Sequence, residues 1–169
     1  MDIYIHRLNE QDAQALFEFE CNNRRFFEQT VPGRGDDYYS FGSFEIRHKE
    51  LLKEQEDAIS SFCLIKDGSG IIVGRMNLVD IDPINGTAHV GYRIGEAFTQ
   101  KGIANEALKL LVNLAPEWNV TQMHAKTTSD NIASQKVLEK NGFEWISINE
   151  EISADSGQKL IFYHYRRNL

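Results

Sequence analysis

Thr99-Gln100-Lys101-Gly102-Ile103-Ala104-Asn105 joins a strand-like run to a helix-like run. Behind it, Thr87-Ala88-His89-Val90-Gly91-Tyr92-Arg93-Ile94 is rich in β-branched and aromatic residues and follows the turn signal Asp82-Pro83-Ile84-Asn85-Gly86. Ahead of it, apolar residues at Ala104, Ala107, Leu108, Leu111 and Ala115 mark one face of an amphipathic helix. Such a junction leaves the first backbone N–H groups of the helix without partners, and the helix dipole favours an anion there. Gly102 lets the backbone approach a ligand closely, and Ala104 keeps the next turn narrow. An ordinary tight strand-to-helix connection has the same pattern, so the neighbouring elements must separate the two readings.

Toward the N-terminus, residues 3–8 alternate like a strand. Asn9 is placed as a helix N-cap with Asp12 three positions on, and Ala13, Leu16 and Phe17 give that helix an apolar face through about Glu20. Residues 21–39 read as irregular: Arg24-Arg25-Phe26-Phe27, then the turn-rich Val31-Pro32-Gly33-Arg34-Gly35-Asp36-Asp37, then Tyr38-Tyr39. Aromatics and glycines crowded together suit either a wall around a pocket or a packed connection between helices. A second helix is expected from Ser43 to about Asp57, with Phe44, Leu51 and Leu52 inward and its charges solvated. Residues 61–66 and 71–81 are strands around the hairpin turn Asp67-Gly68-Ser69-Gly70. With residues 87–94 they make three consecutive antiparallel strands.

Toward the C-terminus, the helix from about 104 to 115 is ended by Pro116, and residues 120–127 alternate as a strand. Ser129-Asp130-Asn131 supplies caps for a helix carrying Ala133, Val137 and Leu138, which stops at Asn141-Gly142. Residues 143–152 and 159–165 are strands joined through Asp155-Ser156-Gly157. The order β-α-α-β-β-β-α-β-α-β-β predicts an α+β domain with one mixed sheet.

The 169 residues suit a single domain spanning 1–169, and a hydrophobic fraction of 41% with 25% charged residues is ordinary for a soluble globular chain. No apolar run is long enough to span a bilayer, and the N-terminus carries no secretory signal pattern. Cys21 and Cys63 lie outside any Cys-x-x-Cys spacing and read as reduced thiols of a cytoplasmic protein. The net charge of −7, with no basic cluster, argues against a nucleic-acid partner and is compatible with an amine. An anionic ligand must then be held by local donors. His6, His48, His124 and His164 have no metal-ligand spacing with one another or with the cysteines, so no metal is expected.

Four pieces in this order resemble the GNAT superfamily of N-acetyltransferases: Ala88-His89-Val90-Gly91-Tyr92-Arg93-Ile94-Gly95, Gln100-Lys101-Gly102-Ile103-Ala104, Asn131-Ile132-Ala133-Ser134 and Leu138-Glu139-Lys140-Asn141-Gly142-Phe143. The resemblance covers nearly the whole chain and is most similar to the RimJ/RimL-like branch, which includes enzymes acting on ribosomal-protein N-termini. It implies a mostly antiparallel mixed sheet flanked by helices, with splayed central strands, and acetyl-CoA as cosubstrate. The backbone of Gln100, Lys101, Gly102, Ile103, Ala104 and Asn105 would hold the pyrophosphate, although Thr99 stands where Gln or Arg is usual. Tyr92, Arg93 and Ile94 would pair through their backbone with the pantetheine arm, one N–H serving the thioester oxygen.

Many members have Ala at position 134 and, at 138, a Tyr that assists the departing thiolate. Here Ser134 stands in place of the Ala and Leu138 in place of the Tyr. RimJ/RimL-like members show the same Ser as donor to the CoA sulfur, with the Asn131 position lining the cofactor. A thiol pKa near 8.5 demands little acid assistance. For the base, His89 comes first, because many relatives carry Glu at the corresponding place and an imidazole suits that role near pH 7. Glu151 comes second: the branch can use a carboxylate on the penultimate strand, and Glu151 lies two residues from the ungapped equivalent, Ser153. The implied activity is direct acetyl transfer to a primary amine, since neither cysteine belongs to a nucleophile arrangement. The acceptor, lined by residues 22–39, is a protein N-terminal α-amine or a small amine. A non-catalytic acyl-CoA-binding or partner-binding module is the alternative, and monomer and homodimer both stay open.

Overall fold

A computed structural model of the protein describes residues 1–30, 33–154 and 156–169; Val31 and Pro32 of the expected loop and Asp155 of the last turn lie outside the described residues. The elements are β1 (Ile3–Arg7), α1 (Ala13–Phe27), α2 (Phe41–Glu56), β2 (Ser61–Asp67), β3 (Ile72–Asp82), β4 (Thr87–Ile94), α3 (Ile103–Leu114), β5 (Gln122–Thr128), α4 (Ile132–Lys140), β6 (Glu144–Ile152) and β7 (Lys159–Asn168). Their order is the one expected, and most ends agree to within two or three residues.

The exception is α1, which continues to Phe27 instead of ending near Glu20. Its buried face runs Leu16, Phe19, Glu20 and Phe27, so the inward stripe is broken by a carboxylate where an apolar residue would have signalled continuation. Asn23, also inward, donates to the Phe19 carbonyl at 2.8 Å and accepts from the Glu96 backbone N–H at 2.8 Å. Arg24 and Arg25 sit in the last turn, where cations suit the helix dipole. At the other end, the Asn9–Asp12 capping box forms as expected. In α2, Phe44, His48, Leu51 and Gln55 are the buried residues and Leu52 is half-buried. Gln55 ties the strands beneath by donating to the Leu8 carbonyl and accepting from the Phe62 N–H, each at 2.9 Å.

The seven strands form one sheet in the order β1-β2-β3-β4-β5-β7-β6. Every pairing is antiparallel except β4 with β5, which is parallel and is reached through α3, as a parallel pair requires a crossover. One face packs Met76, Leu78, Ala88, Val90 and Met123 against Ala107, Leu108 and Leu111 of α3 and Leu138 of α4. The other packs Phe62, Leu64 and Ile72 against Leu16 and Phe19 of α1 and Phe44 and Leu51 of α2. Because side chains alternate along a strand, Ala88, Val90 and Tyr92 face α3 and α4, while His89, Gly91 and Arg93 face the opposite side.

The β4–β5 pairing lasts only from Thr87 with Gln122 to Val90 with Ala125. Beyond it β4 follows β3 as far as Ile94, and β5 follows β7 as far as Thr128. The two central strands therefore diverge and leave a notch. At the end of β4, Gly74 lies opposite Ile94, and a Cβ there would meet the Arg93 carbonyl oxygen at 2.8 Å.

Glu20 of α1, fully buried, holds two strands at once: Arg75 of β3 donates to its Oε1 at 2.6 Å and Arg93 of β4 to its Oε2 at 3.2 Å. Burial by itself would raise this carboxyl, but the charges of Arg75 and Arg93 hold it below the usual carboxylate range. Asp12 is likewise held low against its burial, chiefly by the hydrogen bond from Lys66. A carboxyl lowered in the folded state contributes stability that is present above its unfolded pKa, about 4, and is lost as the pH falls through the folded value. Urea unfolding should therefore show stability dropping below about pH 4. Glu20→Gln should cost about 3–5 kcal/mol at neutral pH and flatten that acid limb.

Candidate active site

Gly102, at φ +77°, is the N-cap of α3, and no side chain caps the helix start. The N–H groups of Ile103, Ala104 and Asn105 therefore lie in a first turn without helical partners. Gln100 also has positive φ, at 60°, so the loop turns its backbone twice within three residues. A Cβ at Gly102 would meet nothing within 4 Å, which leaves room for an anion above the helix end. Lys101 spends its ammonium on the Ala97 carbonyl at 2.8 Å, and Thr99 spends its hydroxyl on the Glu96 carbonyl at 2.9 Å. The side chain of Asn105 accepts from Asn141 Nδ2 at 3.0 Å, locking α3 to the end of α4. A cavity of about 400 Å³ opens over this loop, lined by Met1, Asp2, Ile3, Lys101, Gly102, Ile103 and Glu106.

Across the notch, Asn131 caps α4 by accepting from the Ser134 N–H at 3.1 Å, which orients the first turn. The Ser134 hydroxyl then lies 3.0 Å from the hydroxyl of Tyr92, which also contacts the Ser134 carbonyl at 3.4 Å. Tyr92 is thus more than a backbone contact: its side chain bridges β4 to α4. Leu138, one turn on, is buried in the core. A tyrosine hydroxyl therefore does stand beside Ser134, supplied by a strand instead of by the helix. Burial pushes the Tyr92 hydroxyl up, and the bond to Ser134 partly offsets this.

His89 and His124 lie side by side at the foot of the notch, on the face opposite Tyr92, with rings stacked at 5.3 Å between centroids. His89 is exposed; burial, then the neighbouring His89, Arg166 and His164, push His124 down. Glu151 is half-buried on β6 and bound to Lys126 of β5, which holds its carboxyl below the usual range. That pairing makes it a poorer base, and its strand lies two places from β5 in the sheet order. Ser153 lies just past the end of β6. Arg93 is engaged with Glu20 and covers the Phe27 ring at 4.8 Å, and Ile94 pairs with Gly74. Among the described residues, no group of three His, Cys, Asp or Glu side chains could hold a metal ion, and no helix is long and apolar enough to cross a membrane.

Between the α1–α2 pair and the sheet lies a second cavity, about 440 Å³, lined by Leu16, Arg34, Tyr38, Phe44, Arg47, His48, Leu51, Phe62, Arg75 and Asn77. Three of these residues carry buried polar atoms with no protein partner among the described residues: His48 Nδ1, Arg75 Nε and Asn77 Oδ1. Leaving such an atom unsatisfied costs about 1–3 kcal/mol. Arg34 and Tyr38 come from the aromatic- and glycine-rich stretch that suits a pocket wall, but the polar residues of α2 and β3 gave no signal, because they occupy inward positions that periodicity assigns to the core.

The chain matches the family model described as an acetyltransferase (GNAT) domain over residues 2–144. It is 34% identical over 149 residues to the probable N-acetyltransferase YjcK of Bacillus subtilis (strain 168), covering 83% of this chain and 80% of that protein. It is 23% identical over 140 residues to the ribosomal-protein-serine acetyltransferase of Escherichia coli (strain K12), covering 82% of this chain and 77% of that protein. A solved structure of RimL, a ribosomal L7/L12 alpha-N-protein acetyltransferase in complex with coenzyme A, shares the fold with a TM-score of 0.88 at 21% identity, over 99% of this chain and 94% of that one.

Removing the Ser134 hydroxyl should push the Tyr92 ionisation further up. Ultraviolet absorbance titration of Ser134→Ala, referenced to a Ser134→Ala/Tyr92→Phe double variant, should show the Tyr92 contribution moving to higher pH than in the parent protein.

Proposed function

The chain belongs to the GNAT acetyltransferase family, and from there we propose that it transfers acetyl from acetyl-CoA directly to the α-amine of a protein or peptide N-terminus. The observation that carries this reading is the notch between β4 and β5, with an uncapped, glycine-started helix at its open end. The features there fit the cosubstrate: free first-turn N–H groups for a pyrophosphate, room above Gly102, and an unpaired strand edge for an extended arm.

Acetyl-CoA supplies an activated thioester when bound. In this reading, the backbone of residues 100–105 holds its phosphates, with Ile103, Ala104 and Asn105 contributing helix N–H groups. The edge of β4 at Tyr92, Arg93 and Ile94 aligns the arm, and one of its N–H groups donates to the thioester oxygen. Ser134, with Tyr92 behind it, donates toward the sulfur, and Asn131 keeps Ser134 in place. His89 accepts the proton of the incoming amine from the opposite face of the sheet. Glu151 is the weaker candidate base because Lys126 occupies it.

An α-amine supports this assignment on chemical grounds. With a pKa near 8, about a tenth of it is neutral at pH 7, against roughly one part in 2,500 for a lysine. An exposed imidazole is enough help for the former. The relatives named for action on ribosomal proteins and their α-amines favour the same acceptor class.

Ser134→Ala and Tyr92→Phe should each lower kcat by about 10²-fold with little change in the KM for acetyl-CoA. The double variant should lose less than the product of the two, because the hydroxyls act as one hydrogen-bonded unit. His89→Gln should lower kcat/KM. Thiol release from acetyl-CoA, measured with a set of amino-terminal peptides, reads all three. No release with any peptide, together with no CoA binding by calorimetry, would overturn the reading.

A further inference from the structure

The chamber between the α1–α2 pair and the sheet is positively charged in a chain whose net charge is −7. Its polar lining is Arg34, Tyr38, Arg47, His48, Arg75 and Asn77, and among the described residues no aspartate or glutamate lines it. The carboxylates nearby are already engaged. Arg47 is answered by Glu50 at 3.0 Å and Glu54 at 4.0 Å in an exposed pairing. Glu20 lies 2.6 Å from Arg75 and 3.2 Å from Arg93, so one carboxylate serves two guanidinium groups. Arg34 donates to the Tyr38 hydroxyl, covers that ring at 4.7 Å and has no ion-pair partner among the described residues.

The excess is partly buried. Arg75 is 5% exposed, Glu20 is fully buried and the Arg93 side chain is 20% exposed. His48 adds no negative charge in either protonation state. Burial pushes the Arg93 guanidinium below its ordinary value; Glu20 opposes this, and Arg34 and Arg75 add to it. Charge acts through space, so the excess does not depend on which atom of each side chain meets the cavity. An anion relieves it, a cation adds to it, and a neutral or apolar group leaves it unanswered. The planar fork of a guanidinium suits a carboxylate. A phosphate fits the fork as well, but it brings close to two charges where Glu20 is short of only one against Arg75 and Arg93.

The chamber also adjoins the notch. Arg75 and Asn77 are the direct partners of Arg93 and Gly91 on β4, one strand spacing of about 4.8 Å away. That segment of β4 lies past Val90, where the pairing with β5 has ended. Gly91 faces the same side as His89, and a Cβ there would meet nothing within 4 Å, so no side chain from position 91 stands between the chamber floor and the notch.

We propose that this chamber is a specificity subsite that takes a carboxylate of the acceptor, one carried within a few bonds of the reacting amine. An aspartate or glutamate at a peptide N-terminus has such a group, and so does a free amino acid. The proposal rests on the acetyltransferase reading for the destination of the amine, and its own content is the pairing of the carboxylate with the arginines of the chamber. Arg34 and Arg75 act by binding; they take no part in the chemistry.

The test uses the full-length protein and peptides that differ only in their first residue: Glu, Asp, Gln, Leu, Lys or phosphoserine. Free leucine and leucinamide, which differ by one carboxylate, form the small-molecule arm. Thiol release at saturating acetyl-CoA gives kcat/KM, and calorimetry in the presence of CoA gives affinity. The Glu or Asp peptide should exceed the other peptides by about tenfold or more in both readouts, which assigns the carboxylate to a first residue. A lead of that size for leucine over leucinamide, with no lead among the peptides, upholds the subsite and assigns it to a free amino acid. Arg34→Gln, at an exposed position, should lower the leading ratio severalfold. Asn77→Asp, checked for folding by circular dichroism, builds a carboxylate into the chamber wall and should lower it as well.

Turnover with no lead for a carboxylate in either arm, or a lead for the Gln, Leu, Lys or phosphoserine peptide, overturns the subsite while leaving the acetyltransferase intact. A leading ratio unchanged in Arg34→Gln, or in folded Asn77→Asp, does the same. Selective binding of the acidic peptide or of leucine without acetylation upholds the subsite and counts against the proposed transfer. Absence of selective binding and of turnover overturns both.

Discussion

One buried carboxylate organises the region on which everything else here depends. Arg75 and Arg93 are direct cross-strand neighbours on β3 and β4, and two like charges placed so would repel. Glu20 reaches down from α1 between them and bonds to both. The helix is thereby held to the sheet three residues past the last β4–β5 pair, where β4 has already parted from β5. Phe27 packs against Arg93 from the same helix, so the interaction combines charge with apolar cover. A core of aliphatic residues could have packed α1 as firmly. It would not have fixed the last turn of β4, nor left an Arg75 Nε–H free at a chamber wall.

The architecture was legible because most of the chain obeys simple periodicity. Strands 2 to 4 lie between clear turn signals, α3 has an uninterrupted apolar face, and Asn131 and Gly142 punctuate α4 where capping chemistry says they should. The reading failed where inward positions are polar. Glu20 and Asn23 interrupt the stripe of α1, so its last two turns read as loop, although both side chains are satisfied inside the protein. His48 on α2 and Asn77 on β3 hide the chamber for the same reason. Periodicity reports where water is excluded and is silent about which buried positions carry polar work.

The site itself was half legible. Backbone sites follow from glycine and helix placement alone, and Gly102 with Asn131 marked them. Side-chain geometry was harder. Leu138 signalled a missing tyrosine hydroxyl, yet alternation already put Tyr92 on the face toward α4, and only the tertiary fold brings it to within 3.0 Å of Ser134. The same alternation sends His89 to the other face, so His89 and the Tyr92–Ser134 pair flank the notch from opposite sides of the sheet. Such a division suits an amine and a thioester that approach each other through a gap between strands. Glu151 illustrates the converse: its strand face was anticipated, but its occupation by Lys126 belongs to a contact between strands far apart in sequence.

Two glycines on neighbouring strands of the sheet have unequal room around them. At Gly74 a single methyl group would strike the carbonyl oxygen of Arg93, so enlarging that residue moves the β4 backbone and with it the mouth of the notch. At Gly91 the same methyl meets no atom within 4 Å. Under the acetyl transfer proposed above, a larger residue at position 91 would narrow the space open to the amine without moving the β4 backbone, whereas one at position 74 would shift it.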